Sequence, residues 1–436
     1  MEKKGSMETS SLVERDRRVI WHPFTQMKLA CDPLAVVKGE GVYLFTECGK
    51  KILDGISSWW VNLHGHAHPY IIEKIWGQAK ILEQVLFAGF THEPAITLAE
   101  RLLALLPASF EKIFYTDNGS TAVEAALKMT LQYFFNKNEQ TKRIKVVCFK
   151  DGYHGDTFGA MSVAGKNDFN KPFRKHLFAV EMIDAPLRGN EENSLKQLQA
   201  ILAKEDIACF IFEPLVLASG GMKIYSKEGL DALLSECKTH GVLTIADECM
   251  TGFGRLGPLF ASHEMKEKPD IICLSKGITG GFLPLGVTAV KESVFQAFYS
   301  DDRSQALLHG HSYTANPLSC TAALASLDLL EKEECTNARI RIAKKQKAFV
   351  MKWKDHPKLN RCESIGTILV VEYKTAEGTS YFHPLRDRLY HHFLNHNILL
   401  RPIGNTLYVL TPYCITDNEL EQIHQQIIFT LEKELF

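Results

Sequence analysis

Two hydrophobic runs in the sequence end in residues that could do chemistry. Asp247 follows the run 243–246, and Lys276 comes just after the run 271–274. A charged group at the end of a buried strand is costly unless it has a partner or a task, and open α/β sheets bind ligands at that end of their strands. Asp247 could therefore pair with a cationic ring nitrogen, and a desolvated Lys276 could act as a nucleophile and a general base. The alternatives are a helix N-cap or salt-bridge acid for Asp247 and a solvated surface lysine for Lys276.

Two other segments could hold the rest of a bound cofactor. Gly119 and Ser120 lie between a predicted strand and a predicted helix, where free N–H groups and a hydroxyl can bind a phosphate. Tyr153 lies between two glycines after another strand and could stack on a planar ring. Taken singly, Ser120 could be an ordinary helix N-cap and Tyr153 a packed loop residue.

The order of these residues along the chain is more specific than any one of them. A phosphate-binding turn, a stacking aromatic ring, an acid and a lysine, all at predicted strand ends, are what pyridoxal 5'-phosphate (PLP) requires. Asp247 would keep the pyridine nitrogen protonated, so that the ring can withdraw electrons from the substrate. Lys276 would hold the cofactor as a Schiff base and move protons during amino transfer. We therefore predict Lys276, Asp247 and Tyr153 as catalytic residues.

Alternating strands and helices must position these residues. From about residue 111 onward, short β-rich runs alternate with helical periodicity, which predicts βαβ units and a mainly parallel sheet covered by helices. The pattern changes after residue 317 to a long helical stretch followed by further strands. Strands are predicted at 42–45, 51–53, 113–117, 145–149, 208–212, 242–246, 271–274, 287–290, 368–373, 398–401 and 407–410. Helices are predicted at 120–135, 228–240, 318–354 (in more than one piece) and 419–434.

The length of 436 residues suggests more than one structural unit. We predict a disordered lead-in over residues 1–15 and an N-terminal segment over 16–60 that joins a small domain. A large PLP-binding domain is predicted over residues 61–317, and a C-terminal small α+β domain over residues 318–436.

The composition favours small-molecule chemistry. The formal net charge is −1, so no global field attracts nucleic acid or an anionic membrane. The 11 cysteines are odd in number and include no CxxC pair, which favours reduced thiols and a cytoplasmic location. We expect no secretory signal and no membrane span. His64, His66 and His68 alternate, but no nearby cysteine or acid completes a ligand set, so no metal site is expected.

The sequence resembles the class III (ω-) aminotransferases, which are PLP enzymes of fold type I. The resemblance covers roughly residues 17–430, and Cys249 stands where the family usually has a branched aliphatic residue. It implies an α/β fold in which a large domain with a mainly parallel, helix-covered sheet is joined by a smaller α+β domain. The motifs that carry it are Glu213-Pro214, Asp247-Glu248, Gly252-Phe253-Gly254-Arg255, Pro269-Asp270 and Ser275-Lys276-Gly277.

Within that class, residues 20–27, 54–60 and 152–162 resemble the members that act in biotin biosynthesis. The resemblance implies a ping-pong transaminase that converts 8-amino-7-oxononanoate (KAPA) to 7,8-diaminononanoate (DAPA) with S-adenosylmethionine as amino donor. It also implies a homodimer with its active site at the subunit interface. The implied cofactor-binding residues are Gly119, Ser120, Tyr153, Asp247, Lys276 and, from the neighbouring subunit, Gly310 and Ser312. The implied substrate-binding residues are Phe24, Trp60, Arg255, Arg401 and Tyr408, with Arg401 binding the substrate carboxylate.

Phe24 departs from the pattern of these enzymes, which usually have Tyr there, with a hydroxyl that contacts substrate. Losing such a hydrogen bond costs about 0.5–1.5 kcal/mol, so the amino donor stays open. The alternatives are another class III transaminase, the same KAPA reaction with lysine as donor, or a PLP-fold protein that has lost catalysis. The intact Lys276 and Asp247 argue against the last alternative.

Overall fold

The computed structural model describes residues 11–166, 168–376 and 380–433. Its strands are β1 Val36–Glu40, β2 Tyr43–Thr46, β3 Lys51–Asp54, β4 Phe110–Thr116, β5 Lys145–Phe149, β6 Val180–Ile183, β7 Ile207–Phe212, β8 Val216–Leu217, β9 Lys223–Ile224, β10 Leu243–Asp247, β11 Ile271–Leu274, β12 Gly286–Lys291, β13 Leu359–Ile365, β14 Ile368–Tyr373, β15 Ile398–Leu399 and β16 Thr406–Val409. Its helices are α1 Leu12–Val19, α2 Ser57–Trp60, α3 Pro69–Ala79, α4 Glu93–Leu105, α5 Gly119–Lys137, α6 Phe158–Ser162, α7 Glu191–Leu202, α8 Lys227–Thr239, α9 Glu292–Phe295, α10 Pro317–Leu330, α11 Glu333–Trp353, α12 Leu385–Asn395 and α13 Asp417–Glu432.

The central element is a seven-stranded sheet in the order β4-β12-β11-β10-β7-β5-β6. Its neighbouring strands are parallel except around β12, which is antiparallel to both β11 and β4. The predicted mainly parallel sheet is confirmed. Because β10, β11, β7 and β5 run in the same direction, their carboxyl ends meet at one edge of the sheet, where ligands of such folds bind.

Strand β7 shows how the sheet is covered on both faces. All of its residues are buried. Phe210 and Phe212 pack in the same core as Leu233 of α8, whereas Cys209 and Ile211 pack in another core with Ala126 of α5. Successive side chains of a strand point to opposite faces, so helices on both faces explain why this strand is a continuous apolar run.

Sequence patterns missed five strands of the described residues: β1, β6, β8, β9 and β13. β6 is a half-buried strand at the edge of the central sheet. β13 is polar over much of its length and lies at the edge of a three-stranded antiparallel sheet with β14 and β16. The long predicted helix over 318–354 is divided into α10 and α11, because Lys332 adopts an extended conformation between them.

The N-terminal strands share a sheet with a strand from the C-terminal part of the chain. β15 pairs in parallel with β3, in the four-stranded order β1-β2-β3-β15. β15 ends at Leu399, earlier than the predicted strand over 398–401. Pro402 has no N–H to donate to a ladder, which favours an early end. The division of the chain at residues 60 and 317 stays a prediction.

The predicted disordered lead-in over residues 1–15 is wrong for its last residues. Helix α1 begins at Leu12, and Ser11 caps it: the Ser11 hydroxyl accepts from the Glu14 N–H at 3.2 Å, and the Glu14 carboxylate accepts from the Ser11 N–H at 2.9 Å. This reciprocal capping box stabilises a helix start. Residues 1–10 lie outside the described residues. Among the helices that are described, none combines the length and apolar character needed to cross a membrane.

Candidate active site

A cavity of about 790 Å³ lies at the carboxyl ends of the central strands. Most of the residues predicted from the sequence to bind cofactor or substrate line it. They are Phe24, Trp60, Gly119, Ser120, Tyr153, Asp247, Lys276, Arg401 and Tyr408. Residues separated by up to about 380 positions in the chain are thus brought to one volume, which is large enough for a cofactor and a substrate.

Asp247 and Lys276 reach the cavity from neighbouring strands. Asp247 is the last residue of β10 and lies opposite Cys273 of the parallel strand β11, so that Lys276 follows three residues beyond this pair. Lys276 has a φ of 48°. A non-glycine residue in this left-handed region carries strain of about 1–3 kcal/mol, and such strain tends to lie at functional sites. Both side chains line the cavity, as the sequence predicted.

The Asp247 carboxylate is buried and held by two donors. His154 Nδ1 lies 2.8 Å from Asp247 Oδ2, and the Cys249 N–H donates to Oδ1 at 3.1 Å. Burial alone would raise the pKa of Asp247, but the hydrogen bond and charge of His154 and the charge of Lys276 outweigh it and lower the pKa below its usual value. Asp247 is therefore ionised at neutral pH and can hold a proton on a cationic ring nitrogen.

The start of α5 has the features of a phosphate site. Asn118 caps the helix by accepting from the Thr121 N–H at 3.0 Å. The backbone N–H groups of Gly119 and Ser120 donate to no other group of the described residues, so they are free for an anion at the positive end of the helix dipole. Both residues line the cavity.

Close packing explains two glycines of this site. A Cβ on Gly119 would lie 2.9 Å from the Cys249 sulfur, and a Cβ on Gly155 would lie 2.0 Å from Ser120 Oγ. Gly155 also has a φ of 124°, which L-residues rarely adopt. The loop after β5 therefore packs directly against the start of α5, and the residues present fit a phosphorylated planar cofactor.

Tyr153 is held in the cavity through its backbone. Its N–H donates to Glu213 Oε1 at 2.9 Å, and the other oxygen of Glu213 accepts from the Ala218 N–H at 3.0 Å. Burial raises the pKa of Glu213 to about 7, against the opposing charge of His154, and burial likewise raises the pKa of the Tyr153 hydroxyl. The ring of Tyr153 is therefore a neutral, fixed surface at the side of the cavity.

Aromatic rings lie against both Lys276 and an arginine that lines the same cavity. Lys276 Nζ lies 5.5 Å from the centre of the Trp60 ring, whose N–H donates to the Tyr408 hydroxyl at 3.0 Å. The Arg401 guanidinium lies 4.7 Å from the centre of the Trp59 ring. Phe24 meets Trp59 edge to face at 5.6 Å between ring centres. This arrangement suits a molecule with an apolar chain and a terminal carboxylate.

Arg255 does not line the cavity, which corrects its prediction as a substrate-binding residue. Its side chain is 1% exposed. The guanidinium donates to the backbone carbonyls of Thr411 at 2.9 Å, Asn62 at 3.0 Å and Trp60 at 3.2 Å. Three hydrogen bonds of the guanidinium are thus made to backbone carbonyls inside the protein. Arg255 instead ties the backbone behind Trp60 to the segment after β16.

Gly310 and Ser312 also lie away from the cavity of their own chain. Both are exposed, and neither is among the residues that line it. The sequence predicted that they serve the site of a neighbouring subunit, and this stays a prediction.

Sequence reasoning missed several residues of the cavity. His154 belongs to the same segment as Tyr153, but its pairing with Asp247 spans 93 positions and leaves no local pattern. Asp156, Phe169 and Tyr381 also line the cavity, and no motif marked the two aromatic residues. Of the alternating histidines, His64 bonds to Ser326. No group of three or more potential metal ligands occurs in the part of the chain that the structure describes.

Comparison with known proteins agrees with this fold and site. A family model for class III aminotransferases matches residues 27–431. The adenosylmethionine-8-amino-7-oxononanoate aminotransferase of Synechococcus elongatus is 46% identical over 422 residues, which cover 95% of this chain and 98% of the relative. The enzyme of the same name from Helicobacter pylori is 35% identical, covering 97% of this chain and 98% of the relative.

Solved structures give the same result. The crystal structure of the adenosylmethionine-8-amino-7-oxononanoate aminotransferase from Methanocaldococcus jannaschii superposes with a TM-score of 0.91 at 34% identity, covering 97% of this chain and 98% of the other. An amine transaminase from an uncultivated Pseudomonas species, in its PLP-bound form, superposes with a TM-score of 0.87 at 28% identity, covering 94% of this chain and 97% of the other. The chain therefore belongs to the class III aminotransferases. The predicted transferase fold, PLP cofactor and transaminase class are confirmed.

Proposed function

We propose that this enzyme transfers an amino group from S-adenosylmethionine to KAPA and forms DAPA in biotin biosynthesis. Relatives that carry the name of this activity are up to 46% identical along almost the whole chain. The observation that carries the proposal is a single cavity lined by a lysine, an arginine and aromatic rings that contact both cations. KAPA has matching parts: a reacting carbonyl, an apolar chain and a terminal carboxylate.

Three residues carry the cofactor chemistry in this proposal. When bound, PLP supplies an electron sink that makes the proton on the amine-bearing carbon of the donor acidic. Lys276 Nζ accepts that proton and returns it, as a general base and acid beside the cofactor. Asp247 keeps the proton on the ring nitrogen, and Tyr153 holds the ring from one side.

The remaining residues bind and orient. Gly119 and Ser120 hold the phosphate with their N–H groups and the Ser120 hydroxyl. Arg401 binds the substrate carboxylate with two parallel hydrogen bonds. Phe24, Trp60 and Tyr408 cover the apolar chain and exclude water. The reaction is ping-pong, since donor and acceptor use the same cavity in turn.

We also propose a cytoplasmic homodimer in which Gly310 and Ser312 complete the phosphate site of the other subunit. Leu308 and Tyr313, which flank them, are 82% and 65% exposed in the single chain. Large exposed apolar side chains on both sides of a site segment favour burial against a second copy. The cytoplasmic location rests on the cysteine pattern of the sequence.

Complementation tests the function directly. Expression in a biotin auxotroph that lacks the KAPA amination step should restore growth without biotin, and the matched Lys276→Ala variant should not. Failure of the wild-type protein to restore growth, despite soluble expression, would reject the proposal.

The donor needs a separate test because Phe24 lacks the hydroxyl usual in this class. Purified enzyme loaded with PLP should lose its visible cofactor absorbance on addition of S-adenosylmethionine and regain it on addition of KAPA. If lysine produces the first change and S-adenosylmethionine does not, lysine is the donor and the rest of the proposal stands.

A further inference from the structure

The two tryptophans of the cavity lie on a left-handed turn. Residues Ser57–Trp60 have φ angles of 52°, 46°, 78° and 73°. The N–H groups of Trp60 and Val61 donate to carbonyls four residues earlier, at 2.9 and 3.0 Å. None of the four residues is glycine, so each one is strained in this region. Four consecutive strained residues persist only where surrounding groups hold them in place.

Asp54 is the group that holds this turn. Its side chain is fully buried. Oδ1 accepts from the Ile56 N–H at 3.1 Å, and Oδ2 accepts from the Ser58 hydroxyl at 2.9 Å. Asp54 itself does not line the cavity. It therefore bonds to the backbone that leads into the turn and to a side chain inside it, without touching the space where substrate would bind.

His66 completes the support of Asp54. His66 Nε2 lies 2.9 Å from Asp54 Oδ2, and His66 Nδ1 lies 3.2 Å from the Asn62 amide nitrogen. The amide nitrogen can only donate, since the Asn62 oxygen accepts from the Gly65 N–H at 2.7 Å. Nδ1 is thus the acceptor, and Nε2 carries the proton that is donated to Asp54. The network joins both ends of the segment from Asp54 to His66.

The turn fixes the aromatic wall of the cavity. Trp59 lies under Arg401, and the adjacent Trp60 lies beside Lys276. Because the two rings are consecutive on a single turn, its conformation sets where both rings stand, one against the reacting amine and the other against the carboxylate-binding cation. A right-handed or disordered segment would point the two rings elsewhere.

We propose that Asp54 is a positioning residue that sets substrate affinity by holding the left-handed turn of Trp59 and Trp60. This rests on the proposed function, because the effect is expected where the long substrate spans the cavity. Asp54 contacts no reacting atom, so its loss should weaken binding of KAPA far more than it slows the chemical step.

The test compares Asp54→Ala and Ser58→Ala with Asp231→Ala in the PLP-loaded enzyme. Asp231, which lies on α8, is a matched control. Like Asp54, it is a buried aspartate that accepts a backbone N–H, here that of Lys266 at 2.8 Å. We expect Asp54→Ala to raise KM for KAPA about tenfold with kcat changed less than about threefold, and Ser58→Ala to raise KM about threefold. Hydrogen exchange of the peptide spanning the turn should accelerate about tenfold in Asp54→Ala. Asp231→Ala should change neither KM for KAPA nor the exchange rate of this peptide.

Each outcome decides a distinct point. A fall in kcat at unchanged KM, or an equal effect in Asp231→Ala, would overturn the positioning role. If Asp54→Ala does not fold, Ser58→Ala carries the test, because it removes only one hydrogen bond from a part-buried position; unchanged KM and exchange in that variant would reject the proposal. If the wild-type enzyme does not aminate KAPA, the proposed function fails, while the exchange measurement still decides whether Asp54 holds the turn.

Discussion

Arg401 is a cation without a carboxylate partner in the described part of the chain. Among the described residues, no carboxylate lies within salt-bridge distance of its guanidinium, which stacks over Trp59 at the cavity. Hydrogen bonds to charged groups contribute about 1.5–3 kcal/mol. We therefore expect Arg401→Gln to lower kcat/KM for KAPA by about 10- to 100-fold, as measured by steady-state kinetics. The methyl ester of KAPA is the control: the wild-type enzyme should prefer the acid, and the variant should not distinguish them. A variant that keeps the preference would contradict this role.

His154 decides the charge of Asp247, which predicts a change in pH dependence. The lowered pKa keeps Asp247 ionised above its ordinary value of 3.8, so its titration should not limit the wild-type enzyme near neutral pH. In His154→Phe, burial is less opposed and the pKa of Asp247 rises. The acid limb of the kcat/KM profile should then move up by about 1–3 pH units.

The same shift has a consequence for stability. In the wild type, the lowered pKa of Asp247 contributes stability above the unfolded pKa near 3.8, and this is lost as pH falls through the lower folded value.

His64→Phe is the control for the kinetic profile, since it replaces another buried histidine, one that bonds to Ser326. An acid limb that moves equally in both variants would show that His154 has no specific effect.

Single residues differ in how well a sequence reveals them. Asp247 and Lys276 could be predicted because one ends a hydrophobic strand and the other closely follows one, and a charge there is costly unless it has a partner or a task. His154 could not be predicted, because its partner Asp247 is distant in sequence. The predicted stacking role of the adjacent Tyr153 also already explained the segment. Arg255 was misassigned because a motif shows that an arginine is needed, but only the fold shows that its donors point to backbone carbonyls.

At the scale of elements, the loop after β5 and the start of α5 form one unit. A Cβ at Gly155 would collide with Ser120 and would need a φ of 124°. Gly155→Ala should therefore displace the phosphate-binding turn and weaken PLP binding by about 10- to 100-fold, since hydrogen bonds to a charged group are lost. The measurement is the dissociation constant of PLP from absorbance titration of the cofactor-free enzyme.

Gly189→Ala separates steric contact from backbone strain. Gly189 also has a positive φ, of 84°, but a Cβ there would meet nothing within 4 Å. Its substitution should cost some stability and leave PLP affinity unchanged. If both variants lost affinity equally, strain alone would explain the effect, and the packing of the loop against Ser120 would not matter.

Elements differ in predictability for the same physical reasons. The buried strands β5, β7 and β11 appeared close to their predicted positions, because strands covered on both faces are short apolar runs between breakers. The turn α2 could not be predicted, since left-handed backbone is usually marked by glycine and Ser57–Trp60 has none. Its conformation depends on Asp54 and His66, that is, on contacts made only after the chain has folded.

At the scale of the whole molecule, the proposed homodimer would complete each phosphate site with residues of a second chain. The start of α5 offers free N–H groups, and the cavity of the single chain includes neither Gly310 nor Ser312. If Ser312 acts in the other subunit, the lesions Lys276→Ala and Ser312→Trp fall on the same active site of a mixed dimer. One site then carries both lesions and the other carries none.

Mixing the two variants tests this geometry. Each variant alone should be inactive, because every site of its homodimer has one lesion. After unfolding and refolding an equal mixture, half of the dimers are mixed and each has one intact site, so about a quarter of the wild-type activity should return. A Ser312 that served its own chain would leave every site of the mixed dimer damaged, and no activity would return. Recovery of activity therefore requires the segment around Ser312 to cross the interface, which the sequence of one chain predicts only through its family.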